Sequence, residues 1–283
     1  QGNAWGFYEL KGDVTRVSIE LSKRPEKNPG FVSAAIRKTY FYGKKLLAHT
    51  RNVSTSNLSV KSNVQLWKLY DGYCVKCKQM RGYAWIAPAL DLSSTLSDKL
   101  HSILLAKLRP LGREEDEPAY FAALTNPKKR TLGRQQDVDL LKIAAQFKSA
   151  RDISKPKTQS LLLLHTKKYE WLPCNYEGES WTKEYFTSVL ESMLVHNVDS
   201  KEELKKIALQ EKENELKRKR AFKELALPKH DARLFDLAAD LLFFKADRKD
   251  VLFRSYFEMR PLIKEIARRL HLANPEDALE DAA

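Results

Sequence analysis

Glycine is scarce in this chain, with ten in 283 residues. None stands in a G-x-x-x-x-G-K-[ST] or G-x-S-x-G spacing. The first absence removes the backbone cradle of a P-loop, and the second removes a strained nucleophile elbow. Cysteine is scarcer still, at three residues: Cys74, Cys77 and Cys174. That number excludes a disulfide framework. Long apolar runs are missing as well. The longest candidate is Leu161 to Leu164, far short of the roughly eighteen residues that a membrane span requires, so no membrane partner is expected. The opening "QGNAWGFYELKGD" has neither a basic start nor an apolar centre, so it does not read as a secretory leader. The expectation is a cytoplasmic protein.

Acidic residues are outnumbered, 37 against 50 Lys and Arg, which leaves a net charge of +13. Such a surplus favours encounter with polyanions and admits a non-specific nucleic-acid contact. It does not define a site. In "KEELKKIALQEKENELKRKR" the positive charges are mixed with Glu as on a solvated helix face, and only Lys217 to Arg220 forms a compact block. That block reads first as solvated surface. With 43% hydrophobic residues the chain can bury a normal core.

The pattern of those apolar residues is mostly helical. After Pro29-Gly30, helical spacing runs over roughly 31–50, 58–87 and 93–108, with Leu96, Leu100, Ile103 and Leu104 forming a stripe in the third. The polar insert "GREEDEP" closes this first half. Further on, a helix is predicted from about Gly133 to Lys148, a surface break at "SKPKTQS", and another helix through "LLLLHTKKYEW". The next runs from Tyr185 to Leu194, with Ser180 or Thr182 placed to cap it. Ser200 with Glu203 has the form of a capping box for a helix that stops before Pro228. Leu234, Leu237, Ala238, Leu241 and Phe244 make one more apolar face. Pro261 should break or kink that helix, after which Ile263, Ile266, Ala267 and Leu270 start a second. Near the N-terminus, Val17, Ile19 and Leu21 alternate as in a strand, while Leu10, Val14, Val17 and Leu21 also fit a helical face; Lys11-Gly12-Asp13 tips the balance toward a hairpin. The predicted fold is a mainly α, multi-helix protein with at most a small N-terminal β element. Its organisation reads as a segment 1–30, a helical region 31–112 and a second helical region 113–283.

Candidate chemistry is sparse. Cys74-Val75-Lys76-Cys77 lacks the second pair that a four-ligand zinc site needs, only Cys174 and His165 being left to complete it. "LWKLYDGYCVKCKQMRGYAWI" reads as helix, not as the strand-loop-helix of a redox pair, so Cys74 and Cys77 read as ordinary helix thiols, with Tyr70, Tyr73, Cys77, Met80 and Ala84 on one buried face. No metal ligand set is expected. His49, His101, His165, His196, His230 and His271 stand isolated. Aromatic residues point better to a ligand: Trp67, Tyr70, Tyr73, Tyr83 and Trp85 cluster in one segment, and Trp171, Tyr176, Trp181 and Tyr185 in another. They suit core packing first and a pocket second. Asp247, Arg248 and Asp250 read as surface pairs on a helix, or Arg248 and Arg254 as the lining of an anion pocket.

Three segments in order, "LTNPKKRTLGRQQDVDLLKIAAQ", "HTKKYEWLPCNYEGESWTKEYF" and "LFDLAADLLFFKADRKDVLFRSYFEMRPLIKEIARRL", resemble the helical region of phosphoenolpyruvate-utilising enzymes related to pyruvate, water dikinase and rifampicin phosphotransferase. The resemblance covers roughly residues 120–272. It implies a helical linker or acceptor-binding module of an ATP-dependent phosphotransferase, a kinase-type transferase that uses ATP and Mg. The partners it implies are an ATP-grasp domain and a phosphohistidine domain, in cis or in trans, and a small-molecule acceptor. The chain has no Gly-rich ATP-grasp region and no Thr-x-His loop, so no catalytic residue carries over, no cofactor is expected in this chain, and it is not expected to be catalytic alone. Trp67, Tyr70, Trp85, Trp171, Trp181, Arg248, Arg254 and Tyr256 remain as candidate ligand-binding residues. The alternative is a basic helical module that binds nucleic acid or another protein.

Overall fold

The computed structural model describes residues 16–17, 19–21, 23–24, 28, 30–91, 94–147, 149–174 and 179–272. Ten α-helices have defined bounds among them, and no strand occurs among the described residues. The helices are α1 (Phe31–Ser54), α2 (Asn63–Ala84), α3 (Ile86–Asp91), α4 (Thr95–Leu108), α5 (Glu117–Thr125), α6 (Leu132–Ala144), α7 (Pro156–Tyr169), α8 (Lys183–Val195), α9 (Ser200–Leu225) and α10 (Lys229–Arg269). The mainly α reading therefore holds. The described residues between 16 and 24 are helical, including Val17, Ile19 and Leu21, so there the helical face prevails over the alternating pattern. The turn Lys11-Gly12-Asp13 lies outside the described residues.

Contacts group the chain into two compact units, neither of which is a continuous stretch of sequence. The first comprises Gln1–Tyr40, Arg81–Lys128 and Asn214–Lys245, and the second Phe41–Met80, Lys129–Glu213 and Ala246–Ala283. In the first unit, Leu100, Leu104 and Leu108 of α4 pack with Tyr120 and Leu124 of α5, Ala221 and Leu225 of α9, and Leu234, Phe235 and Ala238 of α10. A second cluster joins Val32, Ile86, Ala87, Leu90, Leu241 and Phe244. These are the stripes that the 3.6-residue period lays on one side of each helix. Each fully buried Leu or Phe contributes on the order of 1.5–3 kcal/mol relative to exposure.

In the second unit, α2 runs antiparallel to α1. The His49 ring lies 2.9 Å from the Leu69 carbonyl, and a Cβ on Gly72 would stand 3.1 Å from that ring, so the missing side chain lets the two helices approach. The α10 portion of this unit runs alongside α1, where a Cβ on Gly43 would meet Val251 at 3.2 Å. Leu46, Val53, Leu66, Tyr73, Cys77, Met80, Leu252, Met259 and Leu262 fill the space among these three helices. Arg269 ties the far end, donating to Asn63 Oδ1 at 2.8 Å and to the carbonyls of Leu58 and Ser59. A second core, with Leu140, Leu162, Tyr169, Phe186 and Leu190, belongs to α6, α7 and α8.

One expected cap, Thr182, is in place, and several other local expectations need correction. Helix α7 begins inside "SKPKTQS", because Pro156 occupies the first turn, where its missing N–H costs nothing. Thr182 caps α8, accepting from the Tyr185 N–H at 3.2 Å. At α9 the capping side chain is Asp199, whose Oδ1 accepts from the N–H groups of Lys201 and Glu202 at 3.0 Å, and Ser200 is a buried helical residue. Helix α10 runs unbroken through Pro261. Proline removes one backbone bond there, but Met259, Leu262 and Ile263 are buried on both sides and hold the turn. The block Lys217 to Arg220 is not uniformly solvated either. Arg218 is buried, bonding Asp236 at 2.8 Å and the Leu124 carbonyl.

Candidate functional site

The C-terminal portion of α10 in the second unit carries three of the eight candidate residues, Arg248, Arg254 and Tyr256. Arg254 lies with its guanidinium carbon 5.9 Å from the centroid of Trp171, just beyond the end of α7. Its Nε donates to Glu258 Oε1 at 3.0 Å, one helical turn on. Glu258 is largely buried, and its Oε2 accepts from the Thr50 hydroxyl of α1 at 2.5 Å. Thr50 itself is fully buried. The carboxylate is therefore satisfied from two sides and fixes the guanidinium on the indole face, while about a third of the Arg254 side chain stays in contact with solvent. A guanidinium held through Nε keeps its Nη fork for a planar anion, which is the geometry that makes arginine a carboxylate and phosphate receptor. Trp171 is itself anchored by its indole N–H, which donates to the Lys168 carbonyl at 3.0 Å.

Beside this cluster, Tyr70, Tyr73 and Tyr256 meet in the core, with Tyr73 and Tyr256 rings 6.4 Å apart in an edge arrangement. Burial, reinforced by Cys74, pushes the Tyr70 phenol up to about 12. Tyr73 is raised further, by burial and then by Cys77 and Tyr256, its hydroxyl lying close to Ser255 and Cys77 without a well-formed hydrogen bond among the described residues. Of the predicted face, Tyr73, Cys77, Met80 and Ala84 are buried as their spacing implies, while Tyr70 is only partly buried at its edge. Cys74, Cys77 and Cys174 are free thiols. Among the described residues no group of three or more His, Cys, Asp or Glu side chains converges as a metal site.

The candidate residues divide by environment. Trp67 is 63% exposed, tilted against Tyr70 at 5.9 Å, whereas Trp171 is 4% exposed. Trp181 stacks parallel on Tyr185 at 5.1 Å at the start of α8, over the α6–α8 core. Trp85 belongs to the first unit. Arg248 makes no ion pair with Asp247 or Asp250, contrary to the surface-pairing expectation: its Nε is buried with no partner among the described residues, and burial lowers the guanidinium pKa. Asp250 is raised to about 6 by burial and then by Asp247, so neighbouring charges of α10 stay desolvated and unpaired with one another.

Sequence reasoning missed Thr50, Glu258 and two further polar centres. Glu258 is legible in retrospect, four residues after Arg254; Thr50, 208 residues away, is not. Asp139 of α6 accepts from Lys168, Tyr169, Lys142 and Gln135. Burial alone would raise it, but these bonds prevail and hold its carboxyl well below the usual range. His165 nearby is lowered to about 4 by burial, so its ring is neutral at pH 7, packed edge-on to Phe186. In the first unit the His101 Nδ1 meets Glu117 at 2.7 Å and the ring stacks on Phe121 at 4.1 Å.

No protein-family model, no curated protein and no solved structure matches this chain. No helix among the described residues is long and apolar enough to cross a membrane.

Proposed function

We propose that this chain is the helical, acceptor-binding module of a phosphoenolpyruvate synthase-like phosphotransferase, working in the cytoplasm with an ATP-grasp domain and a phosphohistidine domain supplied in cis or in trans. The observation that carries the reading is the meeting of Arg254 with Trp171. It joins two of the segments on which the family resemblance rests, and it leaves an arginine fork ready for an anionic acceptor. The charge of Arg260 opposes the upward push of burial on the Cys174 thiol, a second influence of one of these segments on the other.

The residues present do not fit ATP and Mg. Gly43 and Gly72 lie inside helices at close packing points, where they cannot cradle a phosphate, and the described carboxylates do not converge on a cation. Phosphoryl activation would therefore come from the partner domains, and the role of this chain is to bind and orient. The nucleic-acid alternative draws on net charge alone. Its compact basic block is divided by the inward turn of Arg218 and the Lys219–Glu215 pair.

The test compares the isolated chain with the chain joined to the segments that flank it in its gene, each incubated with β- and γ-labelled ATP and a carboxylate acceptor. Acid-labile label is expected only in the joined protein, where Arg254→Gln should raise the acceptor KM by about tenfold, as removal of a charged hydrogen bond does. Label on the isolated chain that disappears when one of its histidines is replaced overturns the reading. So does a gene whose flanks and neighbours encode neither partner domain.

A further inference from the structure

The first unit contains a groove of about 590 Å³ that the proposal above does not use. Its walls are Val17, Leu21, Phe31, Ala34, Ala35, Ile86 and Ala89, with Tyr83 and Trp85 at the side. The volume lies within the roughly 300–1,000 Å³ of small-molecule sites. Small side chains open it: Ala34 and Ala35 on one wall, Ala89 on another, and Gly82, where an added Cβ would meet nothing within 4 Å. Trp85 is 48% exposed, an indole left at the rim of an apolar trough.

Among the described residues the lining contains no acidic side chain, and its one charged member is Lys38. The Lys38 ammonium lies 4.9 Å from the Tyr83 ring centroid and 3.5 Å from its hydroxyl, with no carboxylate partner among the described residues. A second cation, Arg24, stands 5.4 Å from the centroid of Phe31, which also lines the groove. Two cations held on the aromatic rings of an apolar trough give it one polarity. An apolar body gains by covering the walls, and a negative head gains from the ammonium. A neutral body would lose the second gain. A cationic one would meet repulsion.

From this complementarity we infer that the groove bounded by α1, α2 and α3 binds a free amphipathic carboxylate, a medium-chain aliphatic or arylalkyl acid, with its tail along Ala34, Ala35 and Ala89 and its carboxylate on Lys38. The inference is independent of the phosphotransferase reading, because it concerns other residues in the other unit. It uses the unused ammonium donors of Lys38 and asks no chemistry of the site.

The test is titration of the whole chain with decanoate, decanol and decyltrimethylammonium below their micelle concentrations, read by calorimetry and by tryptophan fluorescence. Decanoate is expected to bind saturably at one site, at least tenfold tighter than decanol, with decyltrimethylammonium weakest. Lys38→Ala should remove most of the preference for the carboxylate over the alcohol while leaving the alcohol's affinity unchanged, which separates loss of the charge from loss of the fold. Ala35→Leu should weaken all three by filling the trough, and Trp85→Phe should abolish the fluorescence response but not the heat. Equal affinity for acid and alcohol, a preference unmoved by Lys38→Ala, or absence of saturable binding overturns the proposal. Binding to anionic vesicles alone also overturns it, and so does a concentration-dependent dimer that Ala35→Asp dissolves, since another occupant would then cover the groove.

Discussion

Replacing Arg218 by Met should cost about 2–3 kcal/mol, although the three basic neighbours in its block should each cost less than about 0.5 kcal/mol. The difference follows from where each side chain points. Helix α5 ends at Thr125, so the Leu124 carbonyl belongs to the last turn and has no partner from its own helix. Leu124 is fully buried, and the Arg218 Nη1 donates to that carbonyl. Loss of this charged donor strands a buried acceptor, which is worth about 1.5–3 kcal/mol. The other bond, from Nη2 to Asp236 Oδ1 at 2.8 Å, counts for less, because Asp236 is nearly half exposed and keeps Lys128 at 2.7 Å. An ion pair so screened adds only roughly 0.5 kcal/mol. Methionine keeps an apolar stem of similar length but gives up the guanidinium's place over the Phe222 ring, 5.2 Å from its centroid, a contact worth roughly 0.5–1 kcal/mol that adds to the loss. The assay is urea unfolding at pH 7 followed by circular dichroism, with the m-value checked for constancy, and hydrogen exchange at residues 120–125 to localise the loss. If Arg218→Met and Lys217→Met unfold at the same urea concentration, the buried-cap argument is wrong.

Asp250→Asn should stabilise the protein by roughly 1–2 kcal/mol at pH 8 and make no difference below about pH 4. The sign follows from the raised pKa of about 6: the neutral form is favoured in the fold, so its stability is complete below the unfolded value and is lost as pH climbs through 6. A variant no more stable than the parent at pH 8 in urea titrations would contradict it. Asp139 has the opposite sign. Its carboxyl is held low by Lys168, Tyr169, Lys142 and Gln135 against burial, so Asp139→Asn should lose about 1–3 kcal/mol at pH 7, a deficit that shrinks as pH falls below about 4; a constant deficit from pH 7 to pH 3 would refute the linkage. Binding to duplex DNA should be weak and should fade above about 0.2 M salt, because scattered cations act through counterion release. Tight, sequence-selective binding at that salt, measured by anisotropy, would promote the nucleic-acid alternative.

Helix existence was legible because burial imposes a period on the sequence. Leu100, Leu104 and Leu108 face one core and Leu234, Ala238, Leu241 and Phe244 line one side of α10 as their spacing implies. Leu270 departs from its stripe, 62% exposed in the turn just after α10, where no other described element covers it in the way Ile263 and Ala267 are covered. Division into units was not legible. Composition breaks such as "GREEDEP" mark a solvated turn, realised here as the short 3-10 turn Glu114–Asp116, but they do not say which distant helices share a core. Helices α1, α2, α9 and α10 each supply residues to both units, and no local signal marks the point where a continuous helix changes core. The site fared similarly. Arg254 and Trp171 were each singled out as polar and aromatic candidates, but their contact, and the seating of Glu258 by Thr50, depend on tertiary register.

The stretch from Lys245 to Leu272 shows why net charge is a poor guide to partners. Its arginines are alike in sequence and differ in environment. Arg268 and Arg269 both bond Glu265, and Arg269 also clamps the loop between α1 and α2, which neutralises charge and fastens two helices together. Arg254 is paired through Nε and lies on an indole, so its charge is positioned but not cancelled at the Nη fork. Arg248 is half-buried, and its Nε has no partner among the described residues, a desolvated position that costs stability. A polyanion that bound through charge alone would engage exposed residues such as Lys249 and leave these three environments untouched. An acceptor with a defined anionic group would instead depend on Arg254 and be indifferent to Lys249. Comparing Arg254→Gln with Lys249→Gln therefore separates a built receptor from a solvated basic surface, since both variants remove one charge from the same helix.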